Sequence, residues 1–500
     1  MNSRRTLLSL VFAVLTLVQL VPVWSVEYLP TGDGPSHLYG AWLVRTLSSG
    51  AAPEPIASYY RVDWRPVPNW ASVAFMGVAM PIFTPPAAEK LFFSLILITF
   101  LGGAWMYAGA DDPDNAAFAF LALPLAYNQL LQAGFYNFSL GVGLYFIAVA
   151  VWWRTREQRS KWSIALIAGL LLVCYFAHPM SAALAIGSIA ILWILNRSQP
   201  IRLVALLPSI ALLIWFVAQQ PAGRAHVHST VGYLVHYLTN TQLLYTFDVR
   251  QIIFGRIFSA LILMIVIATL FLESTSKFAI VLALTVLYFL SPAETSGGAV
   301  INERLALFVI LAPLPWVSPR LRRLIWIPLV AIFSTIAILN AGFQLRHFRH
   351  CDRGTQRFLI PVRQIANNSV VLPLLFNRSM PDAYIGYHVH AIDYVAVEKG
   401  LVDLGYYQAG TDYFPIRYKA GIRPPEILEM EGHPDRIDLN AYPEADYVFT
   451  WLMPPNARLR SQLEQGFDRV AAANGGELYR RSRAKMQLRQ MKSAGASSMP

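Results

Sequence analysis

The sequence predicts an α-helical polytopic membrane bundle of about 11 spans, followed by a C-terminal soluble α/β domain. Three observations carry that expectation. Of 500 residues, 55% are apolar and only 14% are charged, where a soluble globular chain carries about 25% charged residues. The apolar residues collect in runs that match the ~20 helical residues needed to cross a ~30 Å hydrocarbon core. The last stretch of the chain, roughly 150 residues, returns to ordinary soluble composition. These figures exclude a soluble enzyme and a disordered chain. Two cysteines, Cys174 and Cys351, cannot build a disulfide framework, and no CxxC or Cys/His metal spacing occurs. The formal charge of +11 does not point to nucleic acid, because the basic residues sit in short runs between apolar stretches. That is the pattern of cytoplasmic loops.

Candidate spans are 6–26, 89–109, 115–132, 135–153, 162–177, 179–195, 201–219, 251–272, 277–291, 302–317 and 323–342. The first follows Arg4 and Arg5 as a signal peptide would, but Pro22, Val23 and Trp24 come next and give no small-x-small cleavage site. It reads as a retained helix. A further apolar stretch, 69–83, is short and cut by Pro81. Positive-inside counting decides whether it crosses. If it does not, Arg154, Arg156, Arg159, Lys161, Arg197, Arg202, Arg320, Arg322 and Arg323 all fall on the side of the N-terminus. If it does, all nine move outside, so 69–83 reads as a helix in the outer interface. The expected organisation is then a membrane domain over 1–343 with a long first outer loop, 27–88. An α/β domain over 344–485 and a disordered tail over 486–500 follow. The N-terminus is cytoplasmic and the C-terminal domain outside, which in a bacterium means a multi-pass inner-membrane protein facing the periplasm.

On this arrangement the unusual polar residues gather on the outer side. The first outer loop begins EYLPTGDGPSHLYGAWLV. Gly32, Gly34 and Pro35 make a turn, and a helix follows to Leu47 with Leu38, Trp42, Leu43 and Leu47 at helical spacing. Asp33 and His37, four apart, share a face at its start. Asp before Gly-Pro is a helix start signal, so Asp33 reads as an N-cap. It also reads as a carboxylate base facing a cavity between helices, and a cap would fix it there. His37 is either a hydrogen-bonded partner or a direct participant. Asn137, within Phe135–Phe138, caps a helix or lines a sugar site. His178 marks a hairpin between two spans, and a histidine there is costly without a partner. Glu294, Gly297, Gly298 and Asn302 lead into Glu303 and Arg304, which form an internal ion pair, or else Arg304 binds a phosphate, for which a guanidinium is well shaped.

Metal signals are weak. His226, His228 and His236 lie in one loop with only Asp248 nearby as a carboxylate, and the first outer loop has no paired DxD. No cofactor is expected, and a divalent metal has only weak support. Asp111, Asp112 and Asp114 fall on the cytoplasmic side and read as a solvated loop. In the tail, 355–366 reads as a helix, 370–375 as a buried strand, 391–404 as a weaker helix and 445–451 as a strand. A helix over 457–473 ends at Asn474-Gly475-Gly476, with a last strand over 477–480. Tyr406, Tyr407, Tyr413 and Tyr418 bind a glycan or pack.

A first span, a long outer loop opening with Asp33 in TGDGPSH, surface helices in that loop, many further spans and an outer C-terminal domain form a pattern that resembles the GT-C superfamily of polytopic membrane glycosyltransferases. That superfamily uses polyprenyl-phosphate sugars. It includes protein mannosyltransferases, lipid A aminoarabinose transferases and mycobacterial arabinosyltransferases. The resemblance covers the whole chain in architecture and the Asp33 region in motif, and matches no one subfamily. It implies an inverting hexosyl or pentosyl transfer from a polyprenyl-phosphate-linked sugar to a lipid, glycan or protein acceptor hydroxyl, among membrane lipids and without nucleic acid. Asp33 would be the base with His37 beside it. Asn137, His178, Glu303 and Arg304 would bind substrate, with Arg304 and His178 at the leaving phosphate. Some members carry a paired acidic motif where this chain has Gly34 and Pro35. The rival reading is a lipid-linked sugar flippase or secondary transporter. Transporters favour repeats and midplane polar residues, whereas here the polar residues crowd one face and no repeat is visible. A non-catalytic assembly factor, using the tail to bind a partner, is a third.

Overall fold

The computed structural model describes residues 2–50, 52–197, 199–220, 227–272, 276–295, 298–378 and 383–482. The expected tail 486–500 lies outside them, as do His226 and Gly297. Among the described residues seven helical segments are long and apolar enough to cross a membrane: Ser3–Trp24, Pro85–Ala108, Tyr136–Arg154, Pro179–Asn196, Pro200–Ala218, Gln251–Leu272 and Pro319–Val362. Lys161–Ala177, Ser276–Leu290 and Trp70–Ala79 are shorter apolar helices. At 1.5 Å per residue, the last of these reaches only ~15 Å, half a hydrocarbon core.

The expected span 115–132 is not an α-helix. It is a 3-10 helix over Pro113–Ala122, a second over Pro124–Tyr127 and one α-turn over Gln129–Gln132. Pro124 has no N–H and its ring crowds the preceding turn, which breaks the run. Asn128 restarts it by accepting from the Leu130 and Leu131 amides at 3.0 and 3.1 Å. A 3-10 helix rises ~2 Å per residue, so this tight winding covers more depth than an α-helix of equal length.

Opposite charges close one end of the bundle. Arg5 bonds Asp114 at 2.7 Å, Lys277 bonds Asp111 at 2.7 Å, and Arg322 bonds Asp112. Trp153 donates to Asp111 at 3.0 Å. The three aspartates are therefore ion-paired to the ends of neighbouring helices, not a solvated loop. Their pairing brings together chain segments that the span count places on the same side.

The last helix, Pro319–Val362, runs 44 residues without a break. It carries the chain from the bundle into the tail, so the expected helix at 355 is its final turns and residue 344 falls in its middle. The tail builds a five-stranded mixed sheet from β2 (Val370–Leu375), β3 (Val402–Asp403), β5 (Tyr447–Trp451), β6 (Phe467–Ala473) and β7 (Gly476–Arg481), in the order β3-β2-β5-β7-β6. β2 is parallel to β3 and β5, while β7 is antiparallel to β5 and β6. The expected helix over 457–473 stops at Gly466, and 467–473 is strand. Asn474 and Gly475, at φ 52° and 90°, make a tight hairpin rather than a helix stop. The helix Arg458–Gly466 buries only Leu459 and Leu463.

The first outer loop is stitched to this tail. Its strand β1 (Tyr60–Val62) pairs antiparallel with β4 (Ile416–Tyr418). Tyr39 donates to the Leu401 carbonyl at 2.6 Å and Tyr60 to the Asp403 carbonyl at 2.8 Å. Arg417 holds Asp63 at 3.2 Å. Ser36, in the helix Gly34–Ser48, donates to Asp393 at 2.9 Å, and the Gly405 amide donates to Asp403 at 2.7 Å. Asp393 and Asp403 are both fully buried. Burial and the neighbouring Asp403 carboxyl hold Asp393 well above the usual carboxylate range, and burial raises Asp403 to about 6. The buried pair therefore keeps hold of a proton at a pH where a free carboxyl has lost it.

Because the folded pair binds a proton that the unfolded chain has already lost, stability falls as pH rises from the ordinary carboxylate value through the raised ones. The unfolding temperature should therefore fall as pH rises from about 4, the ordinary carboxylate value, through about 6, the raised Asp403 value. Asp393→Asn keeps the donated hydrogen bond and should flatten that dependence. An unchanged slope in the variant would remove the pair from the account.

Candidate functional site

At the helix ends opposite the Arg5–Asp114 cluster lies a cavity of about 670 Å³. Asp33, His37, Asn137, His178 and Arg304 line it, together with Tyr407, Tyr413 and Phe414 from the tail. Met180, Leu213, Phe216, Val217 and Ile301 line it as well, so polar and apolar side chains share one wall.

Asp33 occupies the N-cap position of the helix Gly34–Ser48, yet its side chain makes no cap hydrogen bond. Pro35, the second helical residue, offers no N–H for it to accept. The carboxylate turns away and accepts from the Tyr407 hydroxyl at 3.0 Å. His390 Nε2 stands 3.6 Å from its other oxygen. The main chain is fixed from behind: the Gly32 and Asp33 amides donate to the Gln132 and Ala133 carbonyls, each at 3.0 Å. Gly134 has φ +88°, and a Cβ there would come within 2.3 Å of the Asp33 nitrogen, so only glycine lets the two loops close. Burial pushes the Asp33 carboxyl up to about 6, against the lowering effect of the Tyr407 hydrogen bond and of Arg304 and Arg378. Its charge can therefore be gained or lost near neutral pH.

His37 stands one turn further on. Its Nδ1 lies 3.0 Å from Ser72 Oγ, and its ring stacks on Tyr136 at 5.5 Å. Burial lowers its pKa to about 3, which keeps the ring neutral. Asn137 accepts from the Ser72 amide at 2.8 Å and donates to Ser72 Oγ at 2.9 Å and to the Asn69 carbonyl at 3.2 Å. The helix Trp70–Ala79 is thereby pinned beside the site. These side chains spend most of their hydrogen bonds on one another, which makes them a rigid wall.

Arg304 opens the helix Ile301–Leu311. Its guanidinium lies over the rings of Phe135 and Phe138, at 4.5 and 5.5 Å, and one nitrogen is 3.3 Å from His178 Nε2. Among the described residues no carboxylate forms an ion pair with it, and its Nε has no partner. The ion pair with Glu303 does not form. Neighbouring helical residues point ~100° apart, and Glu303 turns off the cavity to accept from Tyr233 at 2.7 Å. A cation fixed by aromatic faces and left without an acid is a ready anion site.

Five of the six expected residues therefore share one cavity, and Glu303 does not line it. The tail tyrosines divide. Tyr407 and Tyr413 line the cavity, while Tyr406 and Tyr418 pack on Tyr60 at 6.0 and 5.2 Å. Sequence reasoning missed His390, whose Nε2 also lies 3.8 Å from Glu431, itself 3.2 Å from Arg378. It also missed Glu89, a buried acid that accepts from Tyr136 at 2.7 Å and Tyr394 at 2.9 Å behind Gly34. Glu89 was readable as the acid at the mouth of an apolar run. His390 had no such mark.

No family model and no curated protein matches the sequence. Among solved structures the chain is similar to ArnT from Cupriavidus metallidurans in the apo state. The match covers 97% of this chain and 99% of that one, at 14% identity and a TM-score of 0.55. The likeness shows the fold alone: the helical bundle and the tail follow the same overall path as in that structure.

Tyr407→Phe removes a donor that holds the Asp33 carboxyl down. Followed by infrared spectroscopy, the Asp33 carboxyl should then titrate at a higher pH than its wild-type value of about 6. A midpoint that stays put would show that Tyr407 does not act on it.

Proposed function

We propose that this chain is a GT-C membrane glycosyltransferase that transfers a sugar from a polyprenyl-phosphate donor to an acceptor hydroxyl, with inversion and with Asp33 as general base. The observation that carries this reading is the meeting, in one cavity, of the Asp33 carboxylate and the half-buried Arg304 guanidinium, which forms no ion pair among the described residues. The apolar side chains lining the same cavity suit the donor's prenyl chain. The ArnT-like fold supports a donor and a setting of this kind.

The donor phosphate binds Arg304, whose planar fork matches two phosphate oxygens. His178, close to the guanidinium, holds it in place. The acceptor hydroxyl gives its proton to Asp33, and its oxygen attacks the anomeric carbon from the face opposite the phosphate. The C–O bond to the phosphate breaks and its electron pair leaves with the polyprenyl phosphate. Arg304 stabilises the charge that develops there, as a fixed donor in a water-poor site does. One displacement inverts the anomeric centre. Tyr407 orients the base and lowers its pKa, keeping it ionised at pH 7. In a bacterial inner membrane, with the N-terminus cytoplasmic, this reaction runs on the periplasmic face.

Vesicles holding the protein and a labelled polyprenyl-phosphate sugar should release polyprenyl phosphate when acceptor is present. Asp33→Asn should slow that release by about 10²–10⁴, the usual worth of general-base catalysis, with binding of the donor retained. Arg304→Ala should weaken donor binding itself. Movement of the intact donor across the bilayer without its consumption would make the protein a flippase and overturn the proposal.

A further inference from the structure

The long helix Pro319–Val362 carries a feature that the transfer reaction does not use. Beyond the expected end of its apolar run at 342, its sequence is FQLRHFRHCDRGTQRF. At 100° per residue, Arg346, Arg349, Arg353 and Arg357 fall within an arc of about 80° on one face. All four are exposed. The opposite face is buried, with Phe348, Cys351, Asp352, Thr355, Phe358 and Leu359 against the protein.

Among the described residues none of the four arginine side chains forms an ion pair. The nearby acids are already committed. Asp352 accepts from the Tyr28 amide at 2.9 Å and the Glu27 amide at 3.3 Å. Glu27 receives Gln356 at 3.4 Å. Four guanidinium groups are thus held in a row on a rigid rod with their donors unspent. An ordinary solvated helix face would intersperse acids among them, because like charges at this spacing repel.

The height of the row selects its partner. At 1.5 Å per residue, Arg346 stands ~6 Å beyond residue 342 and Arg357 ~22 Å beyond it. The headgroup layer on each side of a bilayer adds only ~5–8 Å to the hydrocarbon core. Lipid headgroups reach the first arginine, and the last stands well clear of them. We infer that this face is a docking strip for an extended polyanion, a chain bearing repeated phosphate or carboxylate groups that rises from the membrane alongside the helix. Each guanidinium takes one anionic group in a charge-assisted, two-pronged contact. This inference is independent of the transfer reaction.

Inorganic polyphosphate carrying a fluorescent label is the probe, and the full chain in zwitterionic nanodiscs is the receptor. The wild type should bind with an affinity that falls steeply with salt, because binding releases counterions. The variant R346Q/R349Q/R353Q/R357Q should bind at least ~10-fold more weakly and with a shallower salt dependence. The matching four-lysine variant should recover most of the affinity. Because all four positions are exposed, thermal unfolding should stay at the wild-type value. Should the four-glutamine chain fail to fold, R353Q alone must still weaken binding. Equal binding by wild type and glutamine variants overturns the inference. So does arginine-dependent binding to nanodiscs of anionic lipid with none to polyphosphate, which would make the row a lipid contact.

Discussion

A carboxylate set at the rim of a membrane bundle survives only if the protein supplies what water would have supplied. The hydrogen bond from Tyr407 to Asp33 does this, and much of the architecture serves to bring its two ends together. The donor comes from the tail and the acceptor from the first outer loop, 374 residues apart in sequence. They meet because β1 pairs with β4, because Tyr39 and Tyr60 reach carbonyls of the tail, and because Ser36 bonds the buried Asp393. Asp33 is then held from the membrane side by the turn at Gly134.

The same division of labour separates the two ends of the bundle. At one end, basic and acidic side chains pair off, as with Arg5 and Asp114, and the charges cancel. At the other end Arg304 forms no ion pair among the described residues, and Asp33 accepts from a hydroxyl. Charge neutralised in pairs holds helices together. Charge left over can act on a ligand, and the bundle keeps such charge for its cavity.

Much of this was legible in the sequence, for identifiable reasons. The apolar runs announce themselves by length alone, and the loop acid stands out because Gly32, Gly34 and Pro35 surround it. Arg304 and His178 are conspicuous as charges and rings at span ends, where desolvation makes idle polar groups costly. The misreadings have local causes. Helical periodicity does not separate an α-helix from a 3-10 helix, so the winding at Pro113–Ala122 was invisible. Asn474-Gly475 signals both a helix stop and a hairpin, and the strand Phe467–Ala473 was absorbed into the helix before it. The pairing of Asp111, Asp112 and Asp114 depends on partners far away in the chain. His390 and Tyr407 reach Asp33 only through the docking of the tail, and single-chain spacing carries no information about that. Glu303 was misjudged because it adjoins Arg304 in sequence, though the helix turns the two apart.

The unbroken run of Pro319–Val362 has a mechanical consequence. Its 44 residues make a rod of ~66 Å, of which about half stands outside the hydrocarbon layer. A lever of ~30 Å that leans by ~5° displaces its far end by ~2.6 Å, and a helix leans when the bilayer around it thins. The sheet strands β6 and β7 rest against this rod, so a lean of the helix carries the sheet with it, and the first outer loop, stitched to the tail through β1 and β4, goes along.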